Sequence, residues 1–325
     1  MPIIDMHCDT ISRDTFTSEG LRKNNLQIDL CKMKEAGYLL QNFALFVNME
    51  TDPNPLVSGL RMADMFHEEM AKNKDLIRPV TTYEEILANQ KQGLMSGLLT
   101  LEEGEICQGD VRILRDFYRL GVRMITLTWN HFNSIGAPNN YKTAPSVHGE
   151  PDMTGLTEKG LAFIAEMERL GVIIDVSHLS DGGFYDVFNH TKKPFVASHS
   201  NARALAPHCR NLTDDMIRKM GERGCVTGLN YCRGFLNPFD TWENAKGGAS
   251  DVARHARYIV DLGGIEVLGL GSDFDGCDND FTDCSQMYLL EAELKKQGFT
   301  ASEIDKIFYQ NVLRVYQDIL TGHRL

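Results

Sequence analysis

The chain begins MPIIDMHCDT, with His7, Cys8 and Asp9 side by side. All three residue types bind metal ions and all three take part in acid–base or nucleophilic chemistry. Comparable groups stand at the ends of four other short apolar runs. Glu102 and Glu103 end GLLTLEEGE, His178 ends IIDVSH, His199 ends FVASHS, and Asp273 and Asp275 lie in LGLGSDFDG. A set of imidazoles and carboxylates suits a catalytic divalent cation, whereas a structural zinc favours thiolates. Side chains alternate along a strand, so His7 and Asp9 share one face and Cys8 takes the other. Cys8 therefore reads as a small apolar residue packed between layers. A single strand-end histidine is ordinarily a hydrogen-bonded structural residue. Five strand ends carrying such groups are harder to explain that way, because buried carboxylates and imidazoles are costly unless paired or metal-bound.

The elements that must position these groups follow a simple rhythm. Eight apolar runs (IIDMH, YLLQNFALFV, GLLTLEE, VRMITLTW, GVIIDVSH, PFVASHS, CVTGLNY and EVLGLGSD) alternate with amphipathic stretches such as TEKGLAFIAEMERLG and DVARHARYIVDLGG. Both of these stretches end in glycine, a common helix stop. Eight strands alternating with helices predict an α/β fold, a (β/α)8 TIM-like barrel, with SQMYLLEAELKKQG and SEIDKIFYQNVLRVYQDIL as extra C-terminal helices. In such a barrel the strand ends share one rim, so groups distant in sequence converge on one pocket. An open doubly wound sheet is less favoured, since no G-x-G-x-x-G follows the first strand. Residues 1–325 read as a single barrel domain carrying a metal site, with no linker or repeat.

Composition narrows the function classes. The 325 residues carry a net charge of −12, which argues against nucleic acid or an anionic membrane surface as a partner. No apolar run is long enough to span a bilayer, and the first residues show no signal-peptide pattern. The 8 cysteines are scattered without a C-x-x-C pair, which predicts reduced thiols and a cytoplasmic protein. Some motifs mislead. His67-Glu68-Glu69-Met70-Ala71 starts like a zinc-protease helix but has Ala71 where a second histidine is needed. DFDGCDND lacks the glycine placement and closing glutamate of a calcium loop. His190, His208, His255 and His323 fall in helix or loop stretches and read as surface residues.

Taken in order, H-x-D on the first strand, the glutamate of LTLEEGE, DVSHLS, PFVASHSNAR and GSDFDG resemble the membrane (renal) dipeptidase family, a branch of the metal-dependent amidohydrolase superfamily. The likeness extends to LRDFYRLGVRMITLTWN, Gly155-Leu156-Thr157 and NVLRVY, and is to the soluble bacterial-type members. It implies a binuclear zinc dipeptidase hydrolysing short peptides through a metal-bridged hydroxide, with two Zn2+ ions or other divalent metals. His7 and Asp9 would hold one ion, His178 and His199 the second, and Glu102 would bridge them. Alignment with LRDFYRLG favours Glu102 over Glu103, and strand alternation allows only one to bridge. Asp273 matches the family's catalytic aspartate, and Arg210 an arginine that binds the substrate carboxylate. The resemblance also implies a homodimer. Two departures stand out. The family has a single Glu followed by Gly-Gly where this chain has Glu102-Glu103-Gly104. Trp129 replaces a family histidine that helps hold the substrate, and His131, two residues on, is the candidate substitute by strand parity. Asp5, Asp175 and Asp275 are candidate partners for the histidines. Two other functions compete: a hydrolase of lactones, cyclic amides or N-acyl amino acids on the same scaffold, and a non-catalytic metal-binding barrel.

Overall fold

The computed structural model describes residues 1–13, 20–139 and 150–321; His323 lies outside them. The described strands run in chain order as β1 (Ile3–Asp5), β2 (Tyr38–Phe46), β3 (Ile77–Val80), β4 (Met95–Glu102), β5 (Val122–Thr126), β6 (Ile173–Asp175), β7 (Val196–Ala197), β8 (Val226–Leu229) and β9 (Leu268–Leu270). Eight of them close a parallel ring in the order β1, β2, β4, β5, β6, β7, β8, β9, and β9 pairs back onto β1 through Leu270 and Asp5. These eight are the eight apolar runs of the sequence.

The ninth strand, β3, pairs with the first half of β4, from Ile77–Met95 to Val80–Leu98. At Leu99 β5 takes over the same edge of β4, so β3 lengthens the wall without joining the ring. Its Arg78 and Pro79 hide it from a search for apolar runs. Proline lacks the donor that a central strand needs, and an edge position tolerates that loss.

Two apolar clusters build the body. One fills the space between ring and helices and includes Cys8, as strand alternation requires. The other lies inside the ring, where Ile4, Met6, Leu40, Leu98, Met124 and Val226 point inward. Val312, Val315, Tyr316 and Ile319 of the last helix (Asn311–Ile319) cover that interior from the strands' N-terminal side. Tyr316 reaches far enough up to exchange hydrogen bonds with the Asn42 amide at 2.7 and 3.0 Å. The barrel is therefore plugged at its floor, and its polar side chains collect at the opposite rim. The helix Glu158–Leu170 shows how local sequence fixes the connections. The Thr157 hydroxyl accepts from Gly160 N–H at its start, and Gly171 ends it at φ 74°. Among the described residues no helix is long and apolar enough to cross a membrane.

Candidate metal centre

Each strand end delivers its side chain to one place. Glu102, the last residue of β4, sits in the middle with two faces occupied. Its Oε2 lies 3.3 Å from His7 Nε2. Its Oε1 lies 3.1 Å from His178 Nε2 and 3.6 Å from His199 Nε2. Asp9 Oδ2 and Asp273 Oδ1 complete the His7 side, at 3.6 and 3.9 Å from Nε2. All six residues are buried. The rim thus holds two nests of donors that share Glu102.

Hydrogen bonds fix the tautomers on the second side. His178 Nδ1 lies 2.9 Å from Asn130 Oδ1, an acceptor, so Nδ1 carries the proton. The Ser198 hydroxyl donates to Asp175 Oδ2 at 2.6 Å and so accepts from His199 Nδ1 at 2.7 Å. Both Nε2 atoms are left with lone pairs, and these atoms lie 3.0 Å apart. Two lone pairs at that distance repel unless a cation lies between them. On the other side, His7 Nδ1 and Nε2 and Asp9 Oδ1 are buried without a hydrogen-bond partner, so these donors are likewise arranged for a cation.

The electrostatics have one origin. Burial, opposed by His7, raises the Glu102 carboxyl to about 8. Burial likewise raises Asp273 to about 6, with Asp9 adding to the effect. Burial, then Arg210 and His7 in differing order, hold His178 and His199 well below the ordinary histidine value. For His7 burial acts downward too, but Glu102 and Asp9 overcome it and push the ring well up. Bound cations would reverse the desolvation effect on the carboxylates and favour the neutral imidazoles. The residues present therefore fit a divalent metal site: the ligand atoms of His7, Glu102 and His199, and those of His7, Asp9 and Asp273, each lie within 4.8 Å of one another.

The supporting residues divide differently from expectation. Asp175 acts on His199 through Ser198 and also accepts the amides of Ser177 and Ser198. Asp5 Oδ1 accepts the amides of His7 and Ser272, tying β1 to the loop that carries Asp273. Asp275 receives Thr10 Oγ1 and the amides of Gln27 and Ile28, so it holds loops together rather than a histidine. Sequence reasoning missed Asn130, Ser198 and Asn230, which donates to Asp273 Oδ2 at 3.0 Å. All three stand just beyond strand ends, so the rule that found the titratable groups would have found them had it included amides and hydroxyls. The backbone is strained here as well. Of the five described non-glycine residues with positive φ, Glu103, His178, Asp273 and Asp275 flank or form the centre.

A cavity of ≈ 440 Å³ opens above the donors. Arg210 lines it and is 4 % exposed. Its Nη atoms make only long contacts, 3.5 Å to Ser200 Oγ and 3.5 Å to His199 O, and Nε has none. Glu102 lines the cavity, whereas Glu103 does not. Trp129 lines the cavity, whereas His131 does not. The imidazole of His131 is directed at Asn48 Oδ1, 3.1 Å away, so the expected substitution of His131 for the family histidine is not the arrangement found. A turn beyond the strand intervenes, and strand parity no longer governs side-chain direction there.

Two of the histidines read as surface residues are buried instead. His255 accepts from Ala202 N–H at 3.1 Å through Nδ1 and donates from Nε2 to Leu236 O at 3.0 Å. His208 accepts from Arg210 N–H at 3.1 Å and lines the cavity. Their polar neighbours in sequence concealed this, because the chain folds back over both. His190 is exposed as expected.

A family model described as membrane dipeptidase (peptidase family M19) matches residues 1–323. Dipeptidase aclJ of Aspergillus oryzae is 30% identical over 305 residues, covering 90% of this chain and 70% of its own. Among solved structures, the metallopeptidase dipeptidase AC superposes with a TM-score of 0.87 at 27% identity, covering 99% of both chains. A metallopeptidase from Rhodobacter sphaeroides, solved with a phosphinate mimic of the dipeptide L-Ala-D-Ala, gives 0.86 at 26% identity, covering 98% of this chain and 99% of that one.

Proposed function

The chain belongs to the membrane dipeptidase family, and from that membership and the geometry of the rim we propose that it is a binuclear zinc dipeptidase. The observation that carries the metal reading is the pair of histidine lone pairs 3.0 Å apart beside a shared carboxylate. His7 and Asp9 would hold one ion, His178 and His199 the other, and Glu102 would span both, one oxygen to each side. When bound, such a pair supplies Lewis acidity at the scissile carbonyl and an activated water at neutral pH.

The chain's own residues do the rest. Asp273 is the general acid–base. Its Oδ2 is fixed by Asn230 and its Oδ1 faces the centre, the placement that a proton-transferring carboxylate needs. It takes the proton of the attacking water and returns it to the leaving amine. Arg210 is a buried cation aimed into the cavity with only long polar contacts, and a free C-terminal carboxylate would complete it with forked hydrogen bonds. Short peptides satisfy both contacts at once, because their carboxylate lies one residue from the scissile bond. An N-acyl amino acid carries the same carboxylate beside an amide, so Arg210 supports that as the second reading.

The test is metal analysis of the purified protein together with hydrolysis of dipeptides, N-acyl amino acids and lactones. About two zinc or equivalent ions per chain and cleavage of dipeptides are expected. Hydrolysis of lactones alone, or a chain that binds no divalent metal, would overturn the proposal.

A further inference from the structure

This chain's two departures from the family pattern, Glu103 and Trp129, form one assembly. Glu103 has φ 109° and is buried. Its carboxylate accepts the Trp129 amide at 3.0 Å, the Glu105 amide at 2.9 Å and the Asn133 side chain. Asn133 also donates to Leu127 O at 2.8 Å. The loop after β5 is thereby pinned before and after Trp129. The indole stands edge-on to Phe46 with ring centroids 4.9 Å apart, and both rings line the cavity.

The order of strands around the ring says which part of a substrate meets these rings. Phe46 ends β2 and is the register partner of Glu102 at the end of β4. Trp129 follows β5, so the aromatic pair flanks the central glutamate from both neighbouring strands. Arg210 and Phe235 lie on the connections after β7 and β8, which stand across the ring from β2 and β4. A peptide whose carboxylate is held at Arg210 and whose scissile carbonyl lies at Glu102 must extend its acyl-side residue toward β2 and β5.

We propose that Trp129 and Phe46 form the subsite for the N-terminal side chain of the substrate, that this subsite takes large apolar side chains, and that Glu103 is the positioning residue that holds Trp129 there. The inference rests on the dipeptidase reading and adds its substrate class. A flat apolar wall discriminates by the surface it buries, and each methylene accommodated is worth roughly tenfold or more in kcat/KM.

The experiment compares Gly-Ala, Leu-Ala and Phe-Ala on the metal-loaded enzyme, with Ala-Leu as a control for the other residue. The wild-type enzyme should favour Leu-Ala and Phe-Ala over Gly-Ala by about tenfold or more. Trp129→Ala should lower kcat/KM for Leu-Ala and Phe-Ala far more than for Gly-Ala, erasing most of that preference, and Trp129→Phe should restore part of it. Glu103→Gln should raise KM for Leu-Ala more than it alters kcat for Gly-Ala, a split that a general loss of folding would not give. Equal turnover of Gly-Ala and Leu-Ala by the wild type, a preference set by the C-terminal residue alone, or a uniform loss with Trp129→Ala would each overturn this subsite and leave the dipeptidase reading standing. Failure to cleave any dipeptide would overturn both.

Discussion

Gly276 offers a sharp test of the centre because it carries no chemistry of its own. A Cβ at this position would lie 2.0 Å from Asp9 Oδ2 and 2.4 Å from Asp273 Oδ1, whereas ordinary contact begins near 3.4 Å. Gly276→Ala therefore forces both carboxylates back by about 1 Å or more. The residue itself is exposed, so the strain falls on these two side chains, and overpacking of this kind costs roughly 1–3 kcal/mol. The centre should not tolerate it. A misplacement of about 1 Å costs on the order of 100-fold in rate, equivalent to about 2.7 kcal/mol of transition-state stabilisation. Metal content should fall as well, because Asp9 is displaced from the His7 side. The assay is kcat/KM on a dipeptide, metal per chain by mass spectrometry, and thermal unfolding on the same preparation. A folded protein with a modestly lowered melting temperature and about 100-fold lower kcat/KM is the expected pattern. Wild-type turnover with full metal content would refute the role given to the close approach of the 273–276 turn to Asp9.

Asp273→Asn should keep metal content near normal and abolish turnover, and an active variant would remove Asp273 from proton transfer. Arg210→Ala should raise KM for free dipeptides far more than for their C-terminal amides; equal effects would discard the carboxylate contact. Burial holds His255 down at about 4, against 6.5 for an ordinary histidine. The unfolded chain therefore takes up that proton first, and the stabilising contribution is present above about 6.5 and is lost as pH falls toward 4. The loss should approach about 3 kcal/mol. His255→Leu should be less stable than wild type at pH 7 by denaturant unfolding, with the gap narrowing over that window; a constant gap would refute the assignment.

The sequence determined the type and number of groups at the rim. Strand endings are local signals: an apolar run closes on His7, Glu102, His178, His199 or Asp273, and alternation then decides which neighbours share a face. Parallel order does the rest, because every such ending must reach the same side of a closed ring. That is why Cys8 could be assigned to the layer between ring and helices, where it lies. Outside the strands the same reasoning failed for identifiable reasons. His208 and His255 are buried by segments that fold over them from elsewhere in the chain, which no local pattern records. His131 lies past the strand, and its direction follows the turn rather than the pleat. β3 was concealed by Arg78 and Pro79, which only an edge position can accommodate.

Only the tertiary structure decided the finer geometry of the centre. It turned Glu102 inward and gave Glu103 to the loop of Trp129. It fixed the proton on the outer nitrogen of His178 and His199 by setting Asn130 and Ser198 beside them. It left Arg210 facing the cavity. The physical reason is the same in each case. Residue type and spacing are properties of one segment, whereas burial, tautomer and the direction of a loop side chain depend on which distant segment packs against it.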